Sequence, residues 1–127
     1  MSDRGLSAEQ ARGLSAGAEH YRAYIGPPER YGLIGLSQVA LLESFGLKET
    51  DFVLDFGCGS LRLGRMLIPF LREGRYFGIE PNDWLVDDGF ARELGQDART
   101  LKRPRFSADP NFDCTVFGET FEFIVAQ

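Results

Sequence analysis

Short apolar runs alternate with stretches of helical periodicity along most of this chain. Ile34, Leu41, Leu42 and Phe45 share one helical face, and Gly46 stands where a left-handed C-terminal cap is wanted, so a helix is predicted ahead of the first strand. Phe52-Val53-Leu54-Asp55-Phe56 is a brief apolar run entering a glycine turn, as expected of a strand buried on both faces. Leu63, Met66, Leu67, Phe70 and Leu71 follow at i, i+3, i+4, i+7 and i+8, the plainest amphipathic helix in the sequence. Gly74 closes it, and Tyr76-Phe77-Gly78-Ile79-Glu80 predicts a second buried strand that ends in an acid. Pro81-Asn82-Asp83 stops that strand, and Trp84, Leu85 and Val86 begin a helical stretch toward Leu94. A weaker strand is expected around Phe106, after a Lys/Arg-rich segment from Arg99 to Arg105 read as a connector. A fourth strand is expected over 121–126. Strands alternating with helices imply an α/β fold, a parallel sheet with right-handed crossovers.

The first residues follow a different pattern. Arg4-Gly5-Leu6-Ser7-Ala8 is echoed eight residues later by Arg12-Gly13-Leu14-Ser15-Ala16, too little for a repeat fold. Ser7 and Gln10 have capping-box spacing, but the glycine content weakens any helix they begin. Gly26-Pro27-Pro28 then breaks regular structure. Residues 1–28 are therefore expected to be an arm, partly helical or mobile, ahead of a domain spanning 29–127. Tyr21 and Tyr24 in that arm fit either a lid over a ligand or an anchor to the core.

Length and charge narrow the function classes. At 127 residues the chain supplies one domain's worth of core. A net charge of −5 argues against a surface built to neutralise phosphates, so no nucleic acid partner is expected. No apolar run approaches the roughly 20 residues of a membrane span, and Met1 is followed by polar, Ala/Gly-rich sequence instead of a signal core, so a cytoplasmic protein is expected. Cys58 and Cys114 show no metal-ligand spacing, and His20 is expected to be solvated or partly packed, with no catalytic role.

The chemistry concentrates at Asp55-Phe56-Gly57-Cys58-Gly59-Ser60-Leu61-Arg62, between a predicted strand and a predicted helix. Glycines there let the backbone bend sharply and let a ligand approach main-chain atoms. Glu80 ends the next strand about 20 residues further on, placed to accept hydrogen bonds from the two hydroxyls of a ribose. An NAD-linked oxidoreductase fits those features too. A dinucleotide fingerprint, however, wants a third glycine where this chain has Arg62, and Asp55 would set a carboxylate near a pyrophosphate, a costly pairing of like charges. S-adenosyl-L-methionine reverses that sign, because it carries a sulfonium and an ammonium and no phosphate.

Val53-Leu54-Asp55-Phe56-Gly57-Cys58-Gly59 resembles the first motif of class I S-adenosylmethionine-dependent methyltransferases, and Phe77-Gly78-Ile79-Glu80 resembles their second. The family often has a third glycine two residues after the second one, where this sequence has Leu61. The resemblance covers about Asp51 to Gln127 and implies a Rossmann-like parallel sheet with flanking helices. It implies S-adenosyl-L-methionine as cofactor, Glu80 on its ribose, Gly57 and Gly59 against its methionine part, and Asp55 shaping the turn. The implied cofactor-binding set is Asp55, Gly57, Cys58, Gly59, Glu80, Pro81, Trp84 and Asp109. Trp84 reads equally as a neighbour of the adenine or as a core aromatic, and Asp109 as an adenine acceptor or as a loop acid. Cys58 is expected to be a small turn residue with no base beside it and no nucleophilic role. Arg99, Lys102, Arg103 and Arg105 read as solvated surface.

The family's sheet has seven strands and this chain predicts four, so the fold is expected to be truncated after the fourth strand. That strand would then lie beside the first with an exposed edge open to self-association. Substrate-positioning and basic groups in the family commonly follow the fourth strand, and no catalytic residue is assigned. The expected activity is methyl transfer to an unidentified small-molecule or protein acceptor. A non-catalytic S-adenosylmethionine-binding module is the alternative.

Overall fold

The computed structural model describes residues 2–126. Helix α1 spans Tyr31–Ser44, strand β1 Val53–Phe56, helix α2 Gly64–Phe70 and strand β2 Tyr76–Ile79. Helix α3 spans Asp83–Gly89 and runs on through a π-helical turn at Phe90–Leu94. Helix α4 follows at Gln96–Lys102, strand β3 at Arg105–Ser107 and strand β4 at Phe123–Ala126. All neighbouring strands are parallel, in the order β3-β2-β1-β4, so the chain is an α/β fold. Val53 of β1 lies in register with Tyr76 of β2 and Phe123 of β4.

Alternate residues of a strand point to opposite faces, and each face of this sheet has its own core. On one face Val53 and Tyr76 join Leu61, Leu63, Leu67, Ile68 and Phe90, and each of the four helices contributes to this cluster. On the other, Leu54, Phe77 and Ile79 meet Phe117, with Phe112, Cys114 and Phe121 packed around them. That second face is covered by the aromatic-rich loop between β3 and β4, which contains a 3-10 turn at Cys114–Phe117.

Several expectations change. α1 buries Tyr31, Gly35 and Leu42, whereas Leu41 and Phe45 of the predicted face point to solvent. The reason is a close helix crossing: a Cβ on Gly35 would run into the carbonyl oxygen of Arg62, so α1 approaches α2 along its glycine side. The segment from Arg99 to Arg105 is not simply a connector, because Arg99–Lys102 close α4 and Arg105 begins β3. α4 has no buried residue, and its Leu101 is exposed, so no apolar stripe announced it.

Residues 2–26 lie against this body as successive 3-10 turns, with Ala11, His20, Tyr21 and Ala23 buried. The Ser7 and Gln10 capping pair forms as expected: the Gln10 amide donates to Ser7 Oγ at 3.1 Å and the Ser7 amide to Gln10 Oε1 at 2.9 Å. His20 is fully buried, contrary to the solvated reading. Its Nδ1 accepts from the Arg22 amide at 3.2 Å, which leaves Nε2 to donate to the Leu6 carbonyl at 2.8 Å and makes the ring a structural tie.

Candidate functional site

The turn after β1 is held by the strand beside it. The amides of Gly57 and Cys58 both donate to the Ile79 carbonyl, at 2.9 and 3.0 Å, so the ends of β1 and β2 are locked together. Gly57 and Gly59 have φ of 81° and 55°, and Leu61 has φ of 68°. The position where the sequence resemblance leads one to expect a third glycine therefore has a backbone that glycine would favour, but Leu61 fills it with a fully buried side chain.

Glu80 extends from the end of β2 across this turn. Its Oε1 accepts from the Gly59 amide at 3.0 Å and its Oε2 from the Asn82 amide at 3.0 Å. The carboxylate thus faces outward while tied to the backbone on both sides. Beside it opens a cleft of about 180 Å³ between α3, β3 and the loop that follows, walled by Val86 and Phe106 and edged by Asp83, Asp87, Arg99 and Ser107. Three carboxylates and one guanidinium line it, a balance unsuited to a pyrophosphate and compatible with hydroxyls or a cation.

Asp55 lies under the turn, fully buried, and receives the Tyr76 hydroxyl at 2.7 Å. Burial and then the charge of Asp55 raise the Tyr76 pKa well above its ordinary value, so this hydroxyl stays protonated and donating. Asp55 consequently shapes the turn from beneath and does not line the cleft. Cys58 is also fully buried, its Sγ close enough to Gly78 that a Cβ there would lie 2.8 Å away. Burial, with Asp55 and Glu80 adding to it, pushes the Cys58 thiol well up, which keeps it protonated and unreactive.

Compared with known proteins, the chain matches no family model, no curated protein and no solved structure.

Gly57, Cys58, Gly59, Glu80 and Pro81 come together at the carboxyl ends of β1 and β2. Of the expected set only Glu80 lines the cleft; Asp55, Gly57, Cys58, Gly59, Pro81, Trp84 and Asp109 do not. Trp84 meets the Tyr24 ring edge-on at 5.3 Å, and the Arg4 guanidinium sits 4.7 Å above it. Asp109 spends both carboxylate oxygens on the amides of Asn111 and Asp113, at 3.1 and 3.0 Å, the work of a loop acid. The two arm tyrosines divide their roles. Tyr21 is an anchor whose hydroxyl donates to Glu93, where Arg22 also pairs at 2.6 Å, and Tyr24 packs against Trp84. What sequence reasoning missed is Ile25, which lies directly on the glycine turn: its Cγ2 is 3.1 Å from where a Cβ on Gly59 would stand. The only signal for it was its place beside Tyr21 and Tyr24, in the first cluster of large apolar residues.

Among the described residues, no group of three or more His, Cys, Asp or Glu side chains could hold a metal ion, and no helix is long and apolar enough to cross a membrane.

Proposed function

We propose that this chain binds S-adenosyl-L-methionine in a Rossmann-like sheet and forms the cofactor-binding part of a class I methyltransferase, acting on an unidentified small-molecule or protein acceptor. The observation that carries this reading is Glu80, whose carboxylate stands at the end of β2, 3.0 Å from the Gly59 amide and at the mouth of the cleft. Each Glu80 oxygen accepts one backbone amide and keeps a second lone pair for a ribose hydroxyl, and the glycine turn beside it, which Ile25 covers, lies where the rest of the ligand would run. The cleft, at about 180 Å³, lies below the roughly 300–1,000 Å³ of drug-sized sites. It therefore suits one ring system, the adenine, between Val86 and Phe106. One further support is independent of motif. In the parallel order β3-β2-β1-β4 the strand order reverses between β1 and β4, which sets the glycine turn after β1 at a point where open α/β sheets bind ligands outside the strand ends.

When bound, the cofactor supplies an electrophilic methyl group on a sulfonium. This chain's residues bind and orient it: Glu80 by its carboxylate, Gly57 and Gly59 by the main chain of the turn that Ile25 covers, and Asp55 by holding the turn through Tyr76. No residue is assigned to the acceptor, and a non-catalytic binding module remains the alternative within the same cofactor reading.

Calorimetric titration with S-adenosylmethionine and S-adenosylhomocysteine tests the reading. Binding is expected, and Glu80→Ala should weaken it about 10- to 100-fold, the worth of hydrogen bonds to a charged group at roughly 1.5–3 kcal/mol. A folded sample that gives no heat with either ligand ends the proposal. Selective thermal stabilisation by NAD would favour the oxidoreductase instead.

A further inference from the structure

The glycine turn is roofed by the chain's own arm. Residues 24–26 cross it between two fixed points. Upstream, Tyr21 is buried, its carbonyl accepts from Ser60 Oγ, and Arg22 pairs with Glu93 at 2.6 Å. Downstream, Pro28 is buried and α1 begins at Tyr31. Between these points the segment is held by its own 3-10 turn, the Tyr24 amide donating to the His20 carbonyl at 2.8 Å and the Gly26 amide to the Ala23 carbonyl at 3.3 Å, and it meets the glycine turn through side-chain contact. Ile25 touches Gly59 with its side chain, Cδ1 lying 3.5 Å from the Cβ position, and Tyr24 is 41% exposed with one edge on Trp84. Gly26 has φ of 152°, a conformation that side-chain-bearing residues rarely adopt, so backbone freedom is concentrated at the downstream end.

The cleft beside Glu80 is lined by none of these arm residues. One half of the site is therefore covered and the other open.

We propose that Tyr24-Ile25-Gly26 is a strap that occupies the place of the cofactor's amino-acid end and lifts to admit it, while the cleft takes the nucleoside without strap movement. This rests on the S-adenosylmethionine reading of the site. The strap makes entry of the whole cofactor depend on a conformational step, and it shields the methionine side of the turn from solvent in the free protein. Small nucleosides that lack the amino-acid tail escape that requirement.

Trp84 is the chain's only tryptophan and Tyr24 lies against it, so its emission reports on the strap. The test compares S-adenosylhomocysteine with 5′-methylthioadenosine, which carries the same nucleoside and no amino-acid end, by titration and stopped-flow fluorescence. S-adenosylhomocysteine is expected to shift Trp84 emission and 5′-methylthioadenosine to bind without shifting it. Ile25→Ala should tighten S-adenosylhomocysteine about tenfold, the factor recovered when a site open in about a tenth of molecules becomes fully open, and leave 5′-methylthioadenosine unchanged. Tyr24→Ala, whose side chain is exposed beside Trp84, provides the same comparison by titration should Ile25→Ala lose its thermal transition. Equal affinities of wild type and variant for S-adenosylhomocysteine, or a Trp84 shift with both ligands, overturns the strap while leaving the cofactor reading intact. Failure of both ligands to bind wild type and variants alike removes the cofactor reading, and the strap with it.

Discussion

Leu61 combines a φ of 68° with a side chain that has no exposure. A left-handed backbone costs a residue with a Cβ roughly 1–2 kcal/mol, and a buried leucine returns more than that through packing, since Leu→Ala in a core costs about 2–5 kcal/mol. The chain tolerates the strain because its core needs the side chain. Leu61→Ala keeps the strain and loses the packing, so it should lower unfolding free energy by about 3 kcal/mol. Leu61→Gly loses the same packing and releases the strain, so urea denaturation should find it about 1 kcal/mol more stable than Leu61→Ala. The reverse order would show that the turn imposes no such demand. Cys58 yields a pH prediction of the same local kind. Burial raises its thiol well above the ordinary 9.0, so the folded state holds a proton that the unfolded chain releases near that value. Stability from this group is complete below pH 9.0 and falls as pH rises beyond it, with buried Tyr76 adding its own loss above 10.0. Guanidinium midpoints measured against pH should decline from about pH 9 in the wild type, and Cys58→Ala should flatten the first part of that decline.

Elements with a wide apolar stripe or an unbroken apolar run were legible. β1, β2 and α2 stand within a residue or so of their predicted places, because Val53, Leu54, Leu63, Leu67 and Leu71 are buried where the pattern put them; Phe70 of the same stripe is exposed, and Ile68 outside it is buried in its stead. α1 was legible as a helix and not in its orientation. Its contact with α2 runs through Gly35, and a missing side chain leaves no hydrophobic signal. Two glycines of α1 turn that into a test of opposite signs. A Cβ on Gly35 would collide with the Arg62 carbonyl and lie 3.0 Å from Met66 Cε, so Gly35→Ala should destabilise by about 1–3 kcal/mol despite the better helix propensity. A Cβ on Gly32 would meet only the far end of the Arg65 side chain, at 3.4 Å. Gly32→Ala should therefore stabilise by about 0.5 kcal/mol, and thermal melts of the pair should move in opposite directions.

For the whole molecule, the sheet ends on one side at β4, where the Ile124 side chain is 61% exposed and an apolar groove of about 300 Å³ runs between β4 and α1. An open parallel edge flanked by exposed Leu41 and Phe45 is a template for pairing with another chain. The isolated chain is expected to self-associate with rising concentration, and Ile124→Lys should suppress it in sedimentation velocity. An unchanged distribution would absolve this edge. The local pattern by itself determined the succession of strand, glycine turn, helix and acid-terminated strand, and so placed Gly57, Gly59 and Glu80 at strand ends. Propensity, periodicity and turn chemistry act over a few residues and can be read in order along the chain. Only the tertiary structure decided that Glu80 reaches Gly59, that Asp55 turns inward to Tyr76, that the loop between β3 and β4 covers the second face, and that Ile25 lies on the turn. Those outcomes join residues distant in sequence, and their energies come from burial and close contact, which no local spacing encodes.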